Sequence, residues 1–334
     1  MRVFLDKGRA MNVLERFKEL WSGKRAENFH SRFGGLWIDN TDPDVVLRKL
    51  QSIPDTAMRR NVDSFVRDGF VILSGVVPHE RIDAYLREYQ LAADTGMMQI
   101  EVPTAGGRQA FAREKSFIPG SKVLDTAMLM SSGQDLSFAP AISAFLETIF
   151  GESAMAFQTL HFEVGSTQAI HQDTAYVVVR GQPLKLAATW IALEDVQPGS
   201  GELVYYVGGH RINETIYAEG TSKHWNADRD GHPPHDAHLR FLHEEAERRG
   251  LQKAHFRPKK GDVLIWHADL PHGGGEITAP GVTRRSLVTH YCPKTLDPYY
   301  AAFIPEEWRK KTETRSGNAF ISMYFPPDRL AASS

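Results

Sequence analysis

Apolar and polar positions change rhythm along the chain. Through the first sixty residues, and again over 79–93, apolar residues recur every three or four positions, the spacing of one helical face. The opening stretch MRVFLDKGRAMNVLERFKELW interleaves charge with apolar residues and reads as an amphipathic helix. It has no continuous apolar run of the signal-peptide kind, and Met11 offers a second candidate start. Thr41-Asp42-Pro43 supplies an N-cap and a first-turn proline for the helical VVLRKL. Within VDSFVRDGFVILSGV (62–76) the period switches: a helix ends near Asp68-Gly69 and FVILSGVV continues as a strand. The stretch HERIDAYLREYQLAA is helical again, with Ile82, Tyr85, Leu86 and Tyr89 on one face. Polar, aperiodic residues from Gly96 to Phe117 read as a long loop, and a helix follows over Ala139–Phe150.

From Ala154 the texture becomes β. AFQTLHFEV, AYVVVR, LKLAATWIAL, ELVYYV, GDVLIWHA and RRSLVTHYC are short runs rich in Val, Leu, Thr and aromatics. Between them stand turn-forming GQP, QPGSGE, VGGH and RPKKGD. Many short strands with Gly/Pro punctuation predict a mainly β fold with flanking helices, built as a sandwich or jelly roll. Ile212–Gly250 interrupts the pattern as a polar insert, a lid or surface excursion, with a helix expected at Ala237–Arg249. The expected division is a helical extension over 1–60, packed on the core, and a β domain over 61–334 that carries the 212–250 insert.

Composition narrows the function. The 39 basic residues nearly balance 41 acidic ones, which argues against a nucleic-acid or membrane-surface partner. No apolar run approaches the roughly 18 residues of a membrane helix. Cys292 is the single cysteine, so no intrachain disulfide exists and a reducing cytoplasm is the expected location. A small-molecule substrate is the expected partner; oligomeric state is not readable.

The chemistry centres on Ala169-Ile170-His171-Gln172-Asp173-Thr174-Ala175-Tyr176. On a strand, residues two apart share a face, so His171 and Asp173 offer an imidazole and a carboxylate to one point. His272, in LPHGGG, is the candidate third ligand of a two-His, one-carboxylate set, which leaves three positions open on iron(II). Two of those suit a chelating 2-oxo acid and the third suits O₂. Twelve residues on, Arg284 stands where a guanidinium can clamp the far carboxylate of 2-oxoglutarate. A bare His-x-Asp carries little information, since about one is expected by chance at ordinary residue usage. His267-Ala268-Asp269 is indeed a second, but beyond the adjacent His272 only His290 follows it, inside the next expected strand.

These segments resemble the phytanoyl-CoA dioxygenase family of iron(II)/2-oxoglutarate oxygenases from about Asn61 to Pro293. The resemblance is carried by DGFVILSGVV, HQDTAY, ATWIALEDVQPGSGELVYYVGGHR and GDVLIWHADLPHGGG followed by TRRSLVTHY. It implies a double-stranded β-helix (a cupin-like jelly roll), with His171, Asp173 and His272 as iron ligands. It also implies that Arg284, rather than Arg285, binds 2-oxoglutarate, and that Trp190 lies near that cosubstrate. The implied reaction hydroxylates a substrate C–H bond while 2-oxoglutarate becomes succinate and CO₂, with desaturation and ring formation as open outcomes. A ligating aspartate, where related halogenases have a small residue, points towards hydroxylation. Two positions depart from the family pattern. Gly274 stands where many members have serine, and Val207-Gly208-Gly209-His210 replaces the usual Pro-Gly-Ser-His.

Blander readings stand beside these. Arg284 can serve a structural ion pair and Trp190 can simply fill the core. Gln158 is a further candidate cosubstrate contact; Tyr176 and Arg180 are candidate substrate contacts, with packing or surface as the alternative for both. Arg180, Lys185 and Arg211 are candidates to meet an anionic substrate, and the 96–117 and 212–250 segments are expected to wall the pocket. His224, His232, His235, His238 and His243 read as solvated surface, Gly273-Gly274-Gly275 lacks the context of a phosphate loop, and Cys292 reads as inert. Two rival classes remain: a cupin-like metal-dependent isomerase or lyase, and a non-catalytic jelly-roll binding module.

Overall fold

The computed structural model describes residues 33–331 except 41, 104–106 and 315. The amphipathic segment expected at the N-terminus therefore lies outside the described residues. The first long helix, Pro43–Ser52, is capped by Asp42, whose side chain accepts from the Asp44 N–H, with Pro43 in the first turn. A second helix, Thr56–Asp68, stops at Gly69, whose φ of 81° is open to glycine and costly for other residues.

The chain then enters β1 (Phe70–Leu73), and the helix His79–Ala92 follows. Next come β2 (Gln99–Glu101), β3 (Arg108–Ala110), β4 (Lys122–Leu124) and the helix Pro140–Phe150. The core strands are β5 (Ala154–Phe162), β6 (Ala187–Ala192), β7 (Leu203–Tyr206), β8 (Lys253–Phe256) and β9 (Val263–His267). Two more, β10 (His272–Gly274) and β11 (Ser286–Pro293), complete them. The major sheet runs β1-β9-β6-β11-β5-β4-β2-β3, and the minor sheet runs β10-β7-β8.

Alternation along the major strands sorts two apolar layers. Trp190, Leu264, Trp266 and Val288 point inward and pack against Leu203, Tyr205 and Phe256 of the minor sheet. Their neighbours Ile191, Val263, Ile265 and Leu287 point outward into a second layer with Val62, Phe65, Ile82, Tyr85 and Phe145 from the helices. With both faces covered, β6 and β11 are buried at every residue, the polar Thr189, Ser286, Thr289 and His290 included. Leu36, Ile38, Val46, Leu47 and Leu50 join the helical layer, and the Trp37 indole donates to the Thr148 carbonyl at 2.9 Å. The fold is a mainly β jelly roll backed by helices.

Three expectations need correction. AYVVVR is not a strand: Asp173–Ala175 is a 3₁₀ turn, and only Val179 makes a bridge, to Pro298. The 96–117 segment is not a plain loop, because β2 and β3 pair and extend the major sheet. The insert helix begins earlier than expected, at Pro233, and runs to Arg248.

Candidate metal centre and cosubstrate pocket

His171 and His272 face each other across the sheet. Each donates its backbone N–H to the other's carbonyl at 2.9 Å, so the HQD segment forms a short extra edge beside β10. This register sets the two imidazoles side by side, with ring centroids 4.6 Å apart. After His171 the chain turns, and the 3₁₀ turn brings the Asp173 carboxylate to the same point. Its Oδ1 lies 3.8 Å from His171 Nε2 and 3.6 Å from His272 Nε2. One ligand atom from each residue falls within 4.8 Å of the others.

The hydrogen bonds around this trio select its protonation. His171 Nδ1 lies 2.8 Å from the Ala169 carbonyl and His272 Nδ1 lies 2.9 Å from the Leu270 carbonyl. Both Nδ1 atoms therefore donate to a carbonyl, which turns each Nε2 towards the shared point where a metal would bind. Burial, helped by the nearby His272, pushes the His171 imidazole down to about 3, so it is neutral at ordinary pH. For Asp173, burial opposes ionisation, but His272, His290 and His171 together hold the carboxyl below the usual range. The Trp266 indole donates to Asp173 Oδ2 at 2.7 Å, and His290 Nε2 stands 3.6 Å from the same oxygen. Oδ2 is thereby engaged and Oδ1 turned to the imidazoles. Two imidazoles with Nε2 turned inward and one carboxylate, converging on one side, fit a divalent iron with open positions.

The trio lines a cavity of about 200 Å³ between the two sheets. Arg284 lines it as well and is almost wholly buried. Its Nη1 donates to the Gly201 carbonyl at 3.0 Å, its Nε has no acceptor, and no carboxylate lies within 4.0 Å of it among the described residues. The guanidinium rests 5.3 Å from the Trp190 ring centre and 5.5 Å from that of Phe162. Burial lowers its pKa to about 10, against an opposing pull from Glu202. A buried, charged guanidinium without a carboxylate fits the far end of a dicarboxylate cosubstrate. Arg285, by contrast, is spent on Glu163 at 2.8 Å and Glu194 at 3.6 Å.

Of the other candidates, Trp190, Gln158 and Tyr176 line the cavity. Gln158 Nε2 is 3.4 Å from the Tyr324 hydroxyl, and the Tyr176 hydroxyl is 2.5 Å from His235 Nε2. Arg180 does not line it: the chain has left the β edge by then, and the side chain is exposed. Lys185 and Arg211 also stay outside, Arg211 donating to the Val66 carbonyl at 2.7 Å.

The insert contributes no cavity wall. It buttresses the metal segment from behind through Lys223, which reaches Asp269 at 2.5 Å while Thr174 donates to the same carboxylate at 2.6 Å. His235 and His238 are correspondingly buried rather than solvated. The second His-x-Asp pair is structural, with His267 3.2 Å from Asp39. Trp266, His290, Glu101, Lys122 and Tyr324 also line the cavity but were not singled out beforehand as site residues. The in-out alternation of VLIWH was the available signal for Trp266.

A jelly roll with a two-His, one-carboxylate centre and a buried arginine across one cavity defines the non-haem iron, 2-oxoglutarate-dependent enzymes, whose cofactors are Fe(II), 2-oxoglutarate and O₂. The family model described as phytanoyl-CoA dioxygenase (PhyH) matches residues 65–286, and the chain belongs to that family. Human peroxisomal phytanoyl-CoA dioxygenase is 22% identical over 242 residues, covering 68% of this chain and 66% of that protein. The bovine enzyme is 20% identical over 239 residues with the same coverage, just under two thirds of its length.

Among solved structures, the epimerase SnoN from nogalamycin biosynthesis superposes with a TM-score of 0.51 at 19% identity, covering 72% of this chain and 84% of that one. The carbocyclase SnoK gives 0.52 at 16%, covering 73% and 85%. EctD from S. alaskensis with 2-oxoglutarate and 5-hydroxyectoine gives 0.53 at 17%, covering 74% and 79%. At these identities the structural likeness establishes the shared fold.

Proposed function

We propose that the chain is an Fe(II)- and 2-oxoglutarate-dependent dioxygenase that hydroxylates an unactivated C–H bond of a small organic metabolite, with release of succinate and CO₂. The observation that carries this reading is the buried Arg284, without a carboxylate within 4.0 Å among the described residues, in the same cavity as His171, Asp173 and His272. A metal-binding isomerase or lyase has no need of such a group, and a simple binding module needs neither. Iron with bound 2-oxoglutarate supplies O₂ activation coupled to oxidative decarboxylation.

The chain's own residues do the rest. His171, His272 and Asp173 would hold the iron, with His171 positioned by its hydrogen bond to Ala169, His272 by that to Leu270 and Asp173 by that from Trp266. Arg284 orients the cosubstrate by its far carboxylate, and Trp190 forms the flat wall beside that guanidinium. Gln158 is a polar cosubstrate contact, and Tyr176, fixed by His235, faces the substrate. Phe162, Leu160, Val288 and Trp266 keep water from the reacting centre.

Because Asp173 occupies the ligand position, hydroxylation is preferred over halide transfer. The catalytic unit is taken as residues 61–334, with the described part of 33–60 packed against it. The buried Cys292 thiol suits a cytoplasmic setting, and no helix among the described residues is long and apolar enough to cross a membrane.

Turnover under ¹⁸O₂ tests the outcome. One labelled oxygen in the product for each succinate formed is expected. A product that is epimerised, cyclised or desaturated without label would overturn hydroxylation.

A further inference from the structure

Tyr324 lines the catalytic cavity, and it also lines a second, broader space of about 570 Å³ between the β2–β3 hairpin and the C-terminal segment. Strand β2 joins the two as well. Gln99 lines the outer groove and Glu101 lines the inner cavity. Residues two apart on a strand share a face and lie roughly 7 Å apart. The two spaces are therefore within reach of one small molecule.

Their chemistries differ. The inner cavity carries both signs, with Asp173 and Glu101 set against Arg284 and Lys122. The outer groove has no acidic residue among its described walls; it offers Arg108 and Arg329 beside an apolar strip of Met97, Trp308 and Phe325. Glu101, the cross-strand neighbour of Arg108, is 3.6 Å from Lys122 instead. The Arg108 guanidinium is left over the Tyr324 ring, 5.4 Å from its centre.

We propose that this groove binds the distal part of the substrate, and that this part is an oxyanion (phosphate or carboxylate) carried on a short apolar arm. Arg108 and Arg329 hold the anion, Met97, Trp308 and Phe325 cover the arm, and Tyr324 is the partition past which the reacting end enters the cavity. This deepens the oxygenase reading and rests on it for the word substrate, but the groove's preference for an amphiphilic anion is testable separately.

The experiment is calorimetric titration of the full chain with n-octyl phosphate, octanoate and neutral n-octyl glucoside. Wild type is compared with the double variant Arg108→Gln/Arg329→Gln; both arginines are exposed, so the fold is retained. Loss of two charge-assisted contacts is expected to weaken binding of at least one anionic probe by about tenfold or more, with the glucoside unaffected. Comparing the two anions distinguishes a phosphate-bearing from a carboxylate-bearing ligand. Equal binding of both anions by variant and wild type, or glucoside binding as tight as that of the anions, would overturn the proposal. The iron–2-oxoglutarate absorption band, recorded on the same variant, is expected to be intact. Absence of that band in wild type sinks the oxygenase reading, whereas absence of anion selectivity with the band present sinks only the groove.

Discussion

Trp266→Phe isolates one hydrogen bond at the metal centre. The indole N–H donates to Asp173 Oδ2 at 2.7 Å, with both residues buried. Phenylalanine keeps an aromatic ring on the inner face of β9 and removes the donor. A hydrogen bond to a charged acceptor contributes about 1.5–3 kcal/mol, and losing an outer partner of a metal ligand lowers metal affinity about 10- to 100-fold. The bond exists before metal arrives, so part of its loss falls on the stability of the metal-free protein. His290 Nε2, at 3.6 Å from the same oxygen, can replace part of it. The expected weakening of Fe(II) binding is therefore at the lower end, about tenfold or 1.4 kcal/mol. Anaerobic titration of Fe(II) into both proteins measures it, and Trp266→Phe/His290→Phe is expected to weaken binding further. A folded Trp266→Phe protein that binds Fe(II) as tightly as wild type would refute the claim that the indole holds Asp173 in its ligating pose.

Other perturbations separate structure from chemistry. Lys223→Met strands the buried Asp269 carboxylate, and loss of about 3–5 kcal/mol is expected in a denaturant melt because the partner charge is left uncompensated. Asp125 is fully buried and its pKa is raised to about 7, chiefly by burial. Since its folded pKa exceeds the unfolded one, the folded state gains stability as pH falls from about 8 towards 5, by at most about 1.4 kcal/mol per pH unit. Asp125→Asn is expected to flatten that part of a melting-temperature profile, and an unchanged slope would contradict it. Gly274→Ser restores the residue many relatives carry, but a Cβ there would be driven into the Ser166 backbone oxygen. Lower melting temperature is expected, whereas an unchanged melt would show that the 165–168 loop yields freely.

The centre was legible because its chemistry is compressed into two short segments. HQD and PHGGG carry the three candidate ligands, and the strand that follows the second carries the candidate cosubstrate arginine. Arg284 lines the cavity while Arg285 faces two glutamates outside it, a difference that spacing alone does not give. The expected strand through His171 and Asp173 misread the mechanism of convergence. Cross-strand pairing of His171 with His272, followed by a 3₁₀ turn, brings the carboxylate in. Arg180 lies outside the cavity and exposed, since the strand expected over AYVVVR does not form there.

Strands β2 and β3 were missed because three-residue polar strands at a sheet edge show too few alternating positions to register. The histidines of the insert looked solvated by composition. Their burial depends on contacts distant in sequence, His235 with Tyr176 and His238 with Thr215.

The most direct test of the central claim is anaerobic loading with Fe(II) followed by 2-oxoglutarate, watched for the weak visible charge-transfer band of the chelate. Wild type is expected to show the band. Asp173→Ala is expected to lose it with the iron, and Arg284→Ala to keep the iron while binding 2-oxoglutarate much more weakly. Folded, iron-loaded wild type that shows no band at any 2-oxoglutarate concentration would contradict the cosubstrate assignment and favour a cupin-like reaction without it.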